Sequence, residues 1–277
     1  MNYYYELFLL NEIRNVKWNE TLIKNLKYCT NILKDQDFVF ELHFKNRETS
    51  IYIGADDLGV LDAYVTALEN IYPITHQSAN ITVSKFKHLI ILEYAVDPLF
   101  VLNISDFRDP LASLILRLDQ MSLNSELSYQ VMLKKSLKYK KNRRIIKKYV
   151  IDAYYHHRFI KIDHVLFEIL SLFNNAQYRK ASKLEIDTGE KMLKKLRSPL
   201  FHVQIRILAN ENIAELGSMI NMFRDPETGQ SLNFKIIDQN FKHCSFYGTE
   251  QMCMSADELI AFLNIPIPNN LRLGYDI

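Results

Sequence analysis

Lys134, Lys135, Lys138, Lys140, Lys141, Arg143, Arg144, Lys147 and Lys148 fall within residues 134–148, a stretch that contains no acidic side chain. Cations this close create a local positive field, which the whole-chain net charge of +2 conceals. Such a stripe can neutralise several phosphates, with Tyr139 and Tyr149 interleaved as stacking or packing groups. It equally suits the acidic surface of another protein, or plain solvation. Composition leaves all three readings open. Lys140, Lys141, Arg143 and Arg144 mark the centre of the stripe.

Histidines gather next: His156 and His157, then His164, with Glu168 beyond. On a helix, His157 and His164 lie two turns apart and Glu168 one turn further, so one face could offer all three to a metal. No other carboxylate or cysteine completes a defined ligand pattern, and neighbouring Lys and Arg would repel a cation. Ordinary surface or interface histidines are expected, and no metal. A hydrolase or metalloenzyme built on His156–Glu168 is the weakest alternative.

Nucleophilic catalysis finds no better footing. No Gly-x-Ser-x-Gly occurs, and Cys244 would diverge from His243 and Ser245 on an extended chain. The carboxylate pairs Asp56-Asp57 and Asp257-Glu258 stand at helix starts, where the helix dipole accounts for them. Seven glycines leave little room for phosphate-cradling loops, and neither a P-loop nor a dinucleotide fingerprint is present. The chain is expected to be non-catalytic, to bind no cofactor and to hydrolyse no ATP.

The elements that must position the basic stretch follow from length and periodicity. The 277 residues are 48% hydrophobic and 12% aromatic, enough for two cores and incompatible with a disordered chain. Three cysteines form no even framework, which points to free thiols in a reducing cytoplasm. Residues 1–15 lack the features of a signal peptide, and the longest apolar stretch, Leu89–Ile104, is broken by Glu93, Asp97 and Pro98.

Tyr3–Leu10 reads as a strand and Glu20–Leu33 as a helix with Leu22, Leu26 and Cys29 on one face. Phe38–Lys45 and Ser50–Ile53 alternate as a hairpin that Gly54 ends. A helix follows from Asp56 or Asp57, with Leu58, Leu61, Val65 and Leu68 inward, and Asn80–Asp97 supplies one or two strands. That order is the split βαβ pattern.

A second such segment runs on from Asp109-Pro110. It comprises a helix over Leu111–Met121, a strand over Leu127–Leu133, a helix over Ile186–Arg197 and a strand over Phe201–Leu208. A helix over Glu211–Phe223, a turn at Asp225–Gly229 and a strand over Leu232–Asp238 complete it. Ser255, with Glu258 three residues on, caps a last helix over Asp257–Leu263.

The expectation is therefore an α/β (α+β) chain of two ferredoxin-like split βαβ halves, the second carrying a helical insertion at about 134–183. Its divisions are 1–105, 106–254, and 255–277 as a short helix and linker.

Separated segments carry a family resemblance. They are Phe40-Glu-Leu-His-Phe44 with Ser50-Ile-Tyr-Ile-Gly54, Ala67–Pro73, and Asp109–Leu114 followed by Glu126-Leu-Ser-Tyr-Gln130. Lys195–Arg206 and Met254–Pro266 complete the set. In this order they resemble the N-terminal region of HerA/FtsK-like DNA translocases and the related conjugative (type IV secretion) ATPases. The motifs are loose, and the chain carries no Walker A loop, so no catalytic residue of that family has a counterpart here.

The resemblance implies a non-catalytic docking domain of a hexameric motor whose ATPase core would follow Ile277. Homo-oligomer or motor-complex subunits, DNA, and a membrane-associated secretion protein are the partners it implies. Its location would be the cytoplasm, at or near the inner membrane face. The alternative is a stand-alone nucleic-acid-binding protein of a mobile element or defence locus.

Overall fold

The computed structural model describes residues 2–9, 20–33, 37–45, 48–80, 85–95, 100–102, 126–134, 183–210, 224–226, 228, 230–242, 252–263 and 265. The expected helices over 111–121 and 211–223, and residues 135–182 of the insertion, lie outside them.

Strand β1 (Tyr3–Leu9) leads to helix α1 (Glu20–Ile32), strands β2 (Phe38–Lys45) and β3 (Glu48–Ala55), helix α2 (Leu58–Glu69) and strand β4 (Ile74–Ser78). Then come β5 (Lys85–Tyr94), β6 (Glu126–Lys134), α3 (Lys183–Arg197), β7 (Leu200–Ala209), β8 (Leu232–Lys242), β9 (Met252–Ser255) and α4 (Ala256–Leu259). The architecture is mixed α+β, dominated by one antiparallel sheet of nine strands.

The strand order is β4-β1-β3-β2-β6-β7-β5-β8, with β9 added to β7. Numbering β5 to β8 as a second set of four, the order reads 4-1-3-2 and then 2-3-1-4. Two sets of four strands thus meet through β2 and β6, aligned from Phe38 opposite Leu133 to Lys45 opposite Glu126. Along the far side of β7, β5 pairs with residues 206–209 and β9 with 200–203.

One sheet face is a continuous apolar surface. Phe38, Phe40, Leu42 and Phe44 of β2 form one buried cluster with Ile51, Ile53, Val131, Val203 and Ile205. Leu22, Leu26 and Cys29 of α1 join it, as do Leu61, Val65 and Leu68 of α2. Each such side chain contributes about 1.5–3 kcal/mol by leaving water, so a one-residue slip of β2 would forfeit several of them together. The opposite face is buried too: Phe86, Leu89, Ile91 and Leu208 form a second apolar cluster there.

Three local expectations are corrected. The strand at 85–94 pairs with β7 and β8, while the edge position beside β1 is taken by Ile74–Ser78, which the sequence reading left unassigned. In that strand only Ile74 is buried, so it carries almost no apolar signal. In α2, Leu58 stays 41% exposed in the first turn, beside the capping Asp57, and Tyr64 is buried in its place. Gly54 does not end the hairpin but lies inside β3, opposite Tyr4 and Val39.

A Cβ at Gly54 would overlap the Tyr4 ring and press on Val39 Cγ1 at 3.1 Å. Gly54→Ala is therefore expected to destabilise the protein by about 1–3 kcal/mol, as overpacking does. Urea unfolding checks this, with a lowered midpoint and an unchanged slope as the expected result.

Candidate functional site

Of the nine basic residues singled out by sequence, Lys134 is described: it is the last residue of β6 and is exposed. Lys135, Lys138, Lys140, Lys141, Arg143, Arg144, Lys147 and Lys148 lie outside the described residues, as do His156, His157, His164, Glu168 and Cys244. The basic stretch thus begins where a central strand ends, and the chain re-enters at α3, which leads into β7, the neighbour of β6. Lys134 stands opposite His202 of β7. Burial, and then the Lys134 charge, hold the His202 imidazole below its ordinary pKa.

Further up the same strands, alternation aims Glu41, Gln130 and Arg206 at the face away from α1 and α2, and register lines them up across β2, β6 and β7. All three are buried, and so is Ser128. Ser128 Oγ donates to Glu41 Oε1 at 2.7 Å, and Gln130 Nε2 donates to Glu41 Oε2 at 3.1 Å. Arg206 Nε donates to Gln130 Oε1 at 2.7 Å. Gln130 thus relays between a buried carboxylate and a buried guanidinium, using its amide nitrogen toward one and its oxygen toward the other.

A second buried node joins four parts of the chain. Lys195 near the end of α3 is an ion-pair partner of Glu258 in α4, with both side chains at most 3% exposed. Lys195 Nζ donates to Glu258 Oε1 at 3.0 Å, to the Phe100 carbonyl at 3.2 Å and to the Tyr94 hydroxyl at 3.3 Å. An ammonium has three donors, and three acceptors surround this one.

The Glu258 carboxylate also accepts from the Leu102 amide at 3.0 Å, and from the Ser255 amide and hydroxyl at 2.8 and 2.9 Å. Tyr94 in turn donates its hydroxyl to the Cys253 carbonyl at 2.9 Å. The capping box expected from Ser255 and Glu258 is present. Sequence reasoning missed that this Glu is buried and pairs with Lys195.

Both nodes satisfy their own charges, so the chemistry they offer is cohesion. Among the described residues, no group of three or more His, Cys, Asp or Glu side chains could hold a metal. Of the cysteines, Cys29 is a buried thiol whose pKa burial pushes up to about 11. Segments that carried the family resemblance meet here: 40–44, 126–130 and 195–206 in the first node, 195–206 and 254–266 in the second. No protein-family model matches the chain, and no curated protein matches it. No described helix is long and apolar enough to cross a membrane.

Removing one member of the buried ion pair strands the other charge, at a cost of about 3–5 kcal/mol. Lys195→Met should lose that much in chemical unfolding, and Lys195→Met combined with Glu258→Leu should recover much of it. Equal losses in single and double variants would rule out the coupling.

For His202 the folded pKa lies below the unfolded value of 6.5, so the unfolded chain takes up protons first. Stability should fall as pH drops through 6.5 toward the folded pKa. His202→Gln should flatten that part of the thermal-midpoint curve.

Proposed function

We propose that this chain is a non-catalytic docking domain of a conjugation-type or HerA-like DNA translocase. In this reading the sheet is a platform, and the segment Lys134–Lys148 contacts an anionic partner, DNA first. The observation that carries it is the origin of the basic stretch. It leaves from the end of β6, a central strand anchored on both sides, so its base is held by the most buried part of the molecule.

The strand orders 4-1-3-2 and 2-3-1-4, with all neighbours antiparallel, support assigning each set of four strands to the ferredoxin-like split βαβ class. In the first set, α1 links strands 1 and 2 and α2 links strands 3 and 4, as that class requires. The self-satisfied nodes fit a scaffold better than an enzyme, since neither holds out a nucleophile or base to a substrate. A cytoplasmic site, peripheral to the inner membrane face, and association with motor-complex subunits or a secretion protein belong to the same proposal.

Titration of a fluorescent mixed-sequence DNA duplex with the purified protein, at several salt concentrations, tests the reading. Neutralising Z phosphates gives a log–log slope of about −0.9 Z, so affinity should fall steeply with salt. Absent or salt-insensitive binding would eliminate DNA as the partner. The mass of the gene product in its host then separates the two versions of the proposal. A product well above 32.6 kDa favours a motor docking domain, and one at 32.6 kDa favours the stand-alone nucleic-acid-binding protein.

A further inference from the structure

The nine-stranded sheet ends in β4 on one side and β8 on the other, and the two edges differ in kind. Strand β4 is five residues long, and Thr75, His76, Gln77 and Ser78 are exposed on it. Short polar edges of this sort resist further pairing. Strand β8 is eleven residues long and, among the described residues, pairs only with β5. Asn233, Phe234, Lys235 and Ile236 are consecutive and all exposed, so the edge is open on both faces. Phe234 and Ile236 are 42% and 41% exposed, on the face that carries Ile90 and Leu92. A long apolar edge of this kind is a template for another strand.

We propose that β8 pairs antiparallel with β8 of a second copy of this chain, joining two sheets across a two-fold axis. Two features select a second copy. Antiparallel pairing is the sole mode within this sheet, and the chain already joins its two four-stranded sets this way, edge to edge, at β2 and β6. The other available edge, β4, offers a partner β8 only five mostly polar residues, which disfavours a head-to-tail ring through these edges.

Charge narrows the register. Centring the axis on Lys235 would set like charges opposite each other, which destabilises a strand pair. Centring it on Ile236 sets Ile236 against its own copy, places Lys235 opposite Ile237 of the other chain, and leaves Phe234 flanking the apolar centre. The closed two-fold contact also removes an edge that would otherwise seed open-ended association. This inference is independent of what the basic stretch binds.

Analytical ultracentrifugation of the full chain at micromolar concentration tests it. The expected species is twice 32.6 kDa, and Phe234→Lys with Ile236→Lys should return it to 32.6 kDa. Amide hydrogen exchange supplies a test without substitution: protection along Leu232–Ile237 should rise with protein concentration in the wild-type chain. A monomer at all concentrations, a larger ring, or a dimer that survives both lysines would overturn the proposal. So would exchange along β8 that does not depend on concentration.

Discussion

The fold depends on one join. Two sets of four strands become a single sheet through the hydrogen bonds between β2 and β6, and a buried polar relay from Glu41 through Gln130 to Arg206 sits across that join. Apolar side chains on the other face supply most of the stabilisation, but they would tolerate more than one alignment of Phe, Leu and Val. The relay would not. A slip of one residue turns Glu41 into the apolar layer and leaves a charge without partners, which costs far more than a displaced methyl group. Hydrophobic burial thus makes the sheet stable, and the polar row makes its register specific.

The second node does comparable work at the end of the molecule. Residues 252–263 are late in sequence, yet Met254, Ala256 and Leu259–Leu263 belong to the main core. Lys195 and Glu258 tie this late segment to α3, to the end of β5 and to residues 100–102. Because every donor on the ammonium has an acceptor, the pair avoids the desolvation penalty that makes most buried ion pairs unfavourable. The surface ion pair of Lys27 with Asp257 adds a weaker tie between α1 and α4.

Much of the element order was legible because alternation and helical spacing depend on one apolar face. Phe38–Phe44, Leu127–Leu133 and Phe201–Ile207 announced their strands, and Leu22, Leu26 and Cys29 announced α1. The polar residues on the same strands were harder. Period-two alternation made Glu41, Ser128, Gln130 and Arg206 look like a wet face, whereas all are buried. A signal was present: Val39, Met132 and Leu208 share that face and are buried with them. Strand β4 was missed for the opposite reason, as an edge strand held by backbone hydrogen bonds needs little apolar content. Strand pairing across long sequence separations, such as β5 with β7 and β8, leaves no local trace at all.

This division of labour puts stability in buried, self-satisfied nodes and binding in the basic stretch that leaves from β6. It predicts that the two can be separated by substitution. The most direct measurement compares DNA affinity and thermal midpoint for the wild-type chain and a variant in which Lys140, Lys141, Arg143 and Arg144 are all replaced by Glu. Loss of binding with an unchanged midpoint is the predicted result. Undiminished binding would contradict it, and so would a midpoint that falls together with affinity.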